Sequence, residues 1–449
     1  MEVATFNDDL LELTEFGNRL EKFIDVEHHF VEGGLVLALS SKFGAGKTTF
    51  LSMWKKALED RADDESTPMV ITLNAWESDY YGDPLFAIVS SLIEALEKDG
   101  GSAKSLIEAA KDVGWIATAI GGQVAKKFTG IDAVAAGDLA DKKKTKRDGA
   151  NILDSFSVYE ERKKAMNQLQ DAIREFVASS EPWVLFLVDE LDRCRPDYAI
   201  SYLETIKHIF DVQGAVFILA ADRNQLENSA RTAFGANLDF EEYFRKFVHR
   251  EISLPPITDT GYSRLASAYA SHYLEREGLR SCFMEVDSYR IKNIAELIAG
   301  LRLTPRQIQE VFRVLGHSLE APKEKKGRLL WCVAVGTIAM AAFKIGNRRA
   351  FELLGSKQFA PQDALDLLRE ILGDGHVDWW FKLFLTGDGL KVPESSEAKD
   401  VMIEVGLMKE GEEFSRFNGL GQWIEGWGHS TEGRFAQIKE RIDQIAQWN

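Results

Sequence analysis

The chain predicts an α/β fold: a parallel sheet whose carboxyl edge carries a phosphate-binding loop, followed by an α-helical C-terminal region. Three observations predict it. Leu35 to Leu39 is an unbroken apolar run that leads into Ser41-Lys42-Phe43-Gly44-Ala45-Gly46-Lys47-Thr48-Thr49. Val184 to Val188 is a second such run and ends in Asp189-Glu190-Leu191-Asp192-Arg193. A third, Ala215 to Ala221, ends in Asp222-Arg223-Asn224. Compact apolar runs without helical gaps are the pattern of strands buried on both faces.

Along the chain, Phe6 to Glu27 reads as a leading helix, with Phe16, Leu20, Phe23 and Ile24 at helical spacing. After the first strand, a glycine-rich turn opens the helix Thr48 to Leu58, whose Phe50, Leu51 and Trp54 share a face. That context marks a phosphate loop, Lys42 to Thr49. Gly44 and Gly46 let successive N–H groups turn toward phosphate oxygens, and the helix start adds its positive end. Lys47 is placed for the β- and γ-phosphates, and the Thr48 hydroxyl for magnesium. The usual pattern has glycine five positions before Gly46, where this chain has Ser41. Serine turns the chain there if its φ stays negative, which predicts a variant but working loop.

Val70 to Leu73 is a further strand, ending at Asn74-Ala75-Trp76. Asn74 and Trp76 either shape the site from a neighbouring strand or, for Trp76, fill core. Phe156 to Ala178 is a long helix before the acidic strand. Asp189 at that strand's end is placed to hold magnesium, and Glu190 to polarise the attacking water. Asp222 ends the third strand, either sensing the γ-phosphate or closing an ordinary turn. Phe240 to Arg250 is expected to be helical and to lead into a strand at His249 to Leu254. Thr304-Pro305 starts a helix with Ile308, Val311, Phe312 and Leu315 on one apolar face. Leu329 to Phe343 reads as a buried helix, too short for a membrane span. Trp331, Trp379, Trp380, Trp423, Trp427 and Trp448 mark the C-terminal region. They are expected mostly in its core, with Trp379-Trp380 or Trp423-Trp427 as an alternative partner surface.

These residues resemble the KAP family of P-loop NTPases. The matching segments are Phe43 to Thr48, Asn74-Ala75-Trp76, Asp189 to Cys194, Val216 to Asp222, Lys246-Phe247, Leu254-Pro255-Pro256 and Leu303 to Ile308. The resemblance spans about residues 6 to 320. It implies an additional-strand core of AAA+/STAND-like type, ATP and Mg2+ as ligands, and hydrolysis of the β–γ phosphoanhydride bond. It places Arg306 in a helical lid reaching the phosphates, against the alternative of a solvent-facing arginine. In the related AAA+ group the location of Arg245 and Arg250 supplies an arginine to a neighbour's γ-phosphate; surface ion pairs are the plainer reading. Glu190 stands where the family often has aspartate. Members include membrane-associated animal scaffolds and bacterial proteins that exclude phage, so a bacterial role in phage exclusion is one implication. Many members carry membrane helices between the two motifs. Here the insertion, about Gly101 to Asn151, has only Val113 to Ala125 as an apolar stretch, closed by Lys126 and Lys127.

The expected domains are 1–256 as the core with a helical insertion at about 101–151, 257–321 as a helical lid, and 322–449 as a C-terminal helical domain. The 449 residues are 45% hydrophobic, enough for more than one core, and carry a formal charge of −17, which indicates no nucleic-acid footprint. The basic run Lys142 to Arg147 is either a solvated loop or a contact for an anionic partner. Three dispersed cysteines give no disulfide or metal spacing, and the acidic N-terminus has no signal pattern, so a reducing cytoplasm is expected. The scattered histidines give no His/Asp cluster in support of a nuclease or metal hydrolase, and neither an acceptor pocket nor an arginine-rich lid for a small-molecule kinase is evident. A protein partner is expected at the C-terminal region or the 101–151 insertion, and a homo-oligomer stays open. The leading expectation is an ATP-driven switch. The alternative is a scaffold that holds nucleotide without turning it over. The family resemblance implies ATP over GTP, and no Asn-Lys-x-Asp guanine motif is present.

Overall fold

The computed structural model of the chain describes residues 5–41, 44–61, 67–98, 104–119, 155–180, 182–274, 287–320, 330–373, 375–391, 396–411, 419–428 and 432–446. The chain divides into two compact units, Val3–Asp9 with Leu13–Pro255, and Met1–Glu2 with Leu10–Glu12 and Pro256–Asn449.

The Leu13–Pro255 unit is built on a five-stranded sheet in the order β2-β3-β4-β1-β5. Its strands are β1 (Leu35–Ser40), β2 (Met69–Asn74), β3 (Val184–Asp189), β4 (Ala215–Ala221) and β5 (Arg250–Ser253). Every pairing is parallel. The apolar runs explain this, since a parallel sheet is covered on both faces and β4 is buried at every residue. β4 lies between the two motif strands β1 and β3, which makes this an additional-strand P-loop fold. The register aligns the carboxyl ends: Ser40 faces Ala221 and Ser253, and Asp189 faces Ala220 and Asn74. Between the sheet and its helices, Phe186 stacks on Phe217 with ring centroids 4.3 Å apart.

The helices of this unit are α1 (Thr14–Glu27), α2 (Lys47–Glu59), α3 (Ala75–Asp79), α4 (Pro84–Lys98), α5 (Lys104–Ala119), α6 (Ser155–Ser179), α7 (Pro196–Ile209), α8 (Arg223–Phe234) and α9 (Phe240–Phe244). The leading helix starts later than its periodicity suggests. Phe6–Asp8 is one 3-10 turn, Glu12 has a φ of 59°, and α1 begins only at Thr14. Asp9 enforces the break, accepting from the N–H of Leu13 and of Thr14 (3.0 Å). The helix expected over Phe240 to Arg250 is also shorter. After α9 the chain tightens into i,i+3 turns at Lys246 and Phe247, which aligns His249 with β1. Of the insertion, α5 is described; the remainder of the Val113–Ala125 stretch and the basic run Lys142 to Arg147 lie outside the described residues.

The Pro256–Asn449 unit is helical: α10 (Asp259–Leu274), α11 (Ser288–Gly300), α12 (Pro305–Glu320), α13 (Trp331–Gly346), α14 (Arg348–Gly355), α15 (Pro361–Leu372), α16 (Val377–Thr386), α17 (Ser396–Glu404), α18 (Gly421–Gly426) and α19 (Arg434–Ala446). One core runs through it, drawing on Leu265, Ile298 and Phe312 as well as Phe343, Trp380 and Ile438. Residues on both sides of 321/322 therefore share that core. Thr304 caps α12 reciprocally: its N–H donates to Gln307 Oε1 at 2.9 Å and its hydroxyl accepts from the Gln307 N–H. The residues Trp379, Trp380, Trp423 and Trp427 are all buried, so they are core and not the alternative partner surface; Trp448 lies outside the described residues. The buried helix expected at Leu329 to Phe343 is α13. Among the described residues no helix is long and apolar enough to cross a membrane.

Candidate functional site

The site is assembled where β1 and β3 end. β1 passes through Ser41 into a turn in which Gly44 and Gly46 have φ of 81° and 100°, and α2 begins at Lys47. Side chains avoid that left-handed region, which is why glycine stands at both positions. Ser41 is not among the positive-φ residues, so the serine meets the condition its position sets. Lys42 and Phe43 lie outside the described residues. Helix α2 is fixed from behind by Phe50 and Trp54, both fully buried, and by Trp54 Nε1, which donates to Glu21 Oε1 at 2.8 Å.

Lys47 is 8% exposed, and its ammonium donates to the Ser41 carbonyl at 2.6 Å. It also lies 4.0 Å from Asp192 Oδ2. The same Asp192 oxygen accepts from the backbone N–H of Asp222 at 2.7 Å. Asp192 thus ties the residues after β3 to the end of β4 and faces the loop lysine. It was not among the expected site residues; its place in the acidic run is the signal that could have flagged it. Thr48 is exposed in the first turn of α2, and Thr49 is half-buried behind it.

Asp189 ends β3, and its Oδ1 accepts from the Glu190 N–H at 2.8 Å. Glu190 adopts φ 62° and ψ 22°, left-handed for a side-chain-bearing residue. That conformation costs about 1–2 kcal/mol and is characteristic of functional sites. Its carboxylate is engaged twice: Oε2 accepts from Asn74 Nδ2 at 3.2 Å, and Oε1 pairs with Arg193 Nη1 at 2.7 Å. Asn74 Oδ1 caps α3 by accepting from the Glu77 N–H at 3.1 Å, which turns its amide group toward Glu190. The Arg193 guanidinium lies over the Trp76 ring, 5.6 Å from its centroid. Trp76 is 53% exposed, so its core reading is corrected. Helix α3 is fastened to α7: Asp79 accepts from Arg195 N–H (2.9 Å) and Nε (2.8 Å), and Tyr198 donates to Ser78 Oγ at 2.9 Å. Burial pushes the neighbouring Cys194 thiol up to about 12, with Asp79, Asp192 and Glu190 adding to it, so this cysteine stays protonated.

The other expected residues are placed less centrally. Asp222 turns its carboxylate to its own helix, accepting from Asn224 N–H at 3.0 Å, so its side chain caps α8. Arg245 is exposed just after α9. Arg250 opens β5 opposite Leu37, about 10 Å below the loop edge at three residues' rise, and pairs with Glu27 at 2.9 Å. Arg306 is exposed in the first turn of α12, in the Pro256–Asn449 unit.

The strand order and this loop define an additional-strand P-loop NTPase. The chain belongs to the KAP family: the KAP family P-loop domain matches residues 14–320. No curated protein matches it. Among solved structures, the Aeropyrum pernix ORC2 protein in ADPNP–ADP complexes is similar at 12% identity and a TM-score of 0.36, over 98% of this chain and 95% of that one. The Aeropyrum pernix ORC1 protein in complex with DNA is similar at 15% identity and a TM-score of 0.34, over 98% of this chain and 95% of that one.

Proposed function

We propose that the chain is an ATP-hydrolysing switch. The observation that carries this is the convergence of Lys47, Thr48, Asp189, Glu190 and Asp192 at one edge of the sheet, from strands that only β4 separates. The donor set suits magnesium: a threonine hydroxyl and a carboxylate are hard oxygens. Among the described residues no group of three metal-binding side chains gathers, which fits a cation held by one or two protein oxygens together with phosphates and water. Bound magnesium would neutralise charge on the β- and γ-phosphates. Lys47 binds those phosphates, exchanging the Ser41 carbonyl for phosphate oxygen. Thr48 and Asp189 hold the cation, and Glu190 takes the proton from the attacking water as the β–γ bond breaks. Lys42, Phe43, Ala45 and Thr49 complete the cradle, and Asp222 holds the end of β4 against Asp192. Arg245 or Arg250 of a neighbouring copy would add positive charge to the phosphates. The region from 322 would pass the nucleotide state to a protein partner, with phage exclusion as the cellular setting.

The test is phosphate release from Mg-ATP and Mg-GTP by wild type and Glu190→Gln. ATP turnover reduced roughly a hundredfold in the variant with binding kept is the expected result. Tight binding without turnover in wild type favours a second reading, a scaffold with structural nucleotide. The double engagement of the Glu190 carboxylate is the observation that favours it.

A further inference from the structure

If Glu190 activates water, its present orientation needs an explanation. Its carboxylate bonds to Asn74, at the end of β2, and to Arg193. In the sheet, β2 and β1 lie on opposite sides of β3, and the phosphate loop follows β1. With neighbouring strands about 4.8 Å apart, the carboxylate is bound on the flank away from the loop, which starts two strand spacings to the other side. Asp192 marks the contrasting direction, since it reaches Lys47 and the Asp222 N–H.

Arg193 is gripped from two sides. One side is the carboxylate at 2.7 Å; the other is the face of Trp76. A guanidinium over an indole is favoured by the ring's negative face. The Asp79–Arg195 and Ser78–Tyr198 bonds fix the short helix that carries Trp76 to α7. Its ring also borders an open cleft of about 710 Å³ lined by Asn74, Glu77, Tyr80, Glu190 and Arg195. The left-handed Glu190 backbone is held by its surroundings, among them the Asp189 Oδ1 bond to its N–H and the Arg193 N–H bond to its carbonyl.

We infer that Arg193, seated on Trp76, is a positioning residue that holds Glu190 turned away from the phosphate loop, and that hydrolysis requires its release. The inference rests on the reading of Glu190 as the water-activating group.

The test uses the full chain, with steady-state phosphate release from Mg-ATP and equilibrium titration of a fluorescent ATP analogue. Arg193→Ala is expected to raise kcat roughly tenfold, the size of a lost partly desolvated cation contact. Affinity should stay within about twofold, since a merely structural role would move binding as well. Trp76→Ala, at a half-exposed position, should raise kcat less, about threefold, and Trp76→Phe should restore most of the restraint. The gain must vanish in Arg193→Ala/Glu190→Gln. An unchanged or lower kcat in both Arg193→Ala and Trp76→Ala, with affinity kept, overturns the latch; if Arg193→Ala does not fold, Trp76→Ala decides alone. A gain that survives Glu190→Gln overturns the latch and the Glu190 reading together. Loss of analogue binding in Lys47→Ala shows separately whether the nucleotide site stands.

Discussion

At the scale of single residues, the site depends on Asp192 more than its position in the acidic run announces. Its side chain is buried, and one oxygen serves both the Asp222 N–H and the Lys47 ammonium. Removing that oxygen leaves a half-buried N–H without this acceptor and a lysine with less compensation. Asp192→Ala should therefore cost about 2 kcal/mol in urea unfolding, and Asp192→Asn, which keeps an acceptor, clearly less. Equal losses for the two variants would mean that packing, not the bond, matters there. The sequence made Asp189, Glu190 and Lys47 legible because strand ends and glycine turns have local signatures. It left Asp192 and the Arg193–Trp76 contact hidden, because both depend on which strands are neighbours. Trp76 was ambiguous for the same reason: five residues of helix show no periodicity that says which side faces water.

At the scale of elements, the strands were legible almost to the residue, the central three because a run buried on both faces has no polar interruption. The helix starts were less so, because Asp9 and the turns after α9 stop helices that apolar spacing alone would continue. β5 is the strand with the least burial, and His249 anchors its approach to β1. Its backbone N–H donates to the Val36 carbonyl at 2.9 Å, and its Nδ1 accepts from the Val36 N–H at 3.0 Å. Burial lowers the imidazole below its usual range, with Lys207 and Arg250 adding to this and Asp211 opposing. Charging the ring would put a proton on Nδ1 and remove the acceptor. A lowered folded pKa means that stability is complete above the unfolded value of 6.5 and is lost as pH falls from there through the folded value. His249→Asn should thus lose less stability than wild type between about pH 7.5 and 5.5, read as the change in thermal midpoint. Parallel losses in both proteins would assign the acid sensitivity to other groups.

At the scale of the whole molecule, the two units have separate cores and separate means of being perturbed. Charge and composition allowed more than one core but gave no way to see that residues on both sides of 321/322 build a single one, since long-range packing leaves no local mark. Trp427 shows how that core is closed. It is fully buried, its Nε1 donates to Thr386 Oγ1 at 3.0 Å, and it meets Phe435 edge to face at 5.6 Å. Gly387 makes room for it, since a Cβ there would lie 2.6 Å from the ring. Trp427→Ala should cost about 3–5 kcal/mol, because the cavity cannot collapse around so large a ring. Nucleotide acts on the other unit: at a hundredfold over its Kd, Mg-ATP should stabilise by about 2.7 kcal/mol. Calorimetry of wild type and Trp427→Ala, each with and without Mg-ATP, separates the two. Distinct transitions, one lowered by the mutation and the other raised by nucleotide, are expected of two units with their own cores. A single transition that both perturbations move would mean that the units unfold together, and a scan that Mg-ATP leaves unmoved would remove the nucleotide from the proposal.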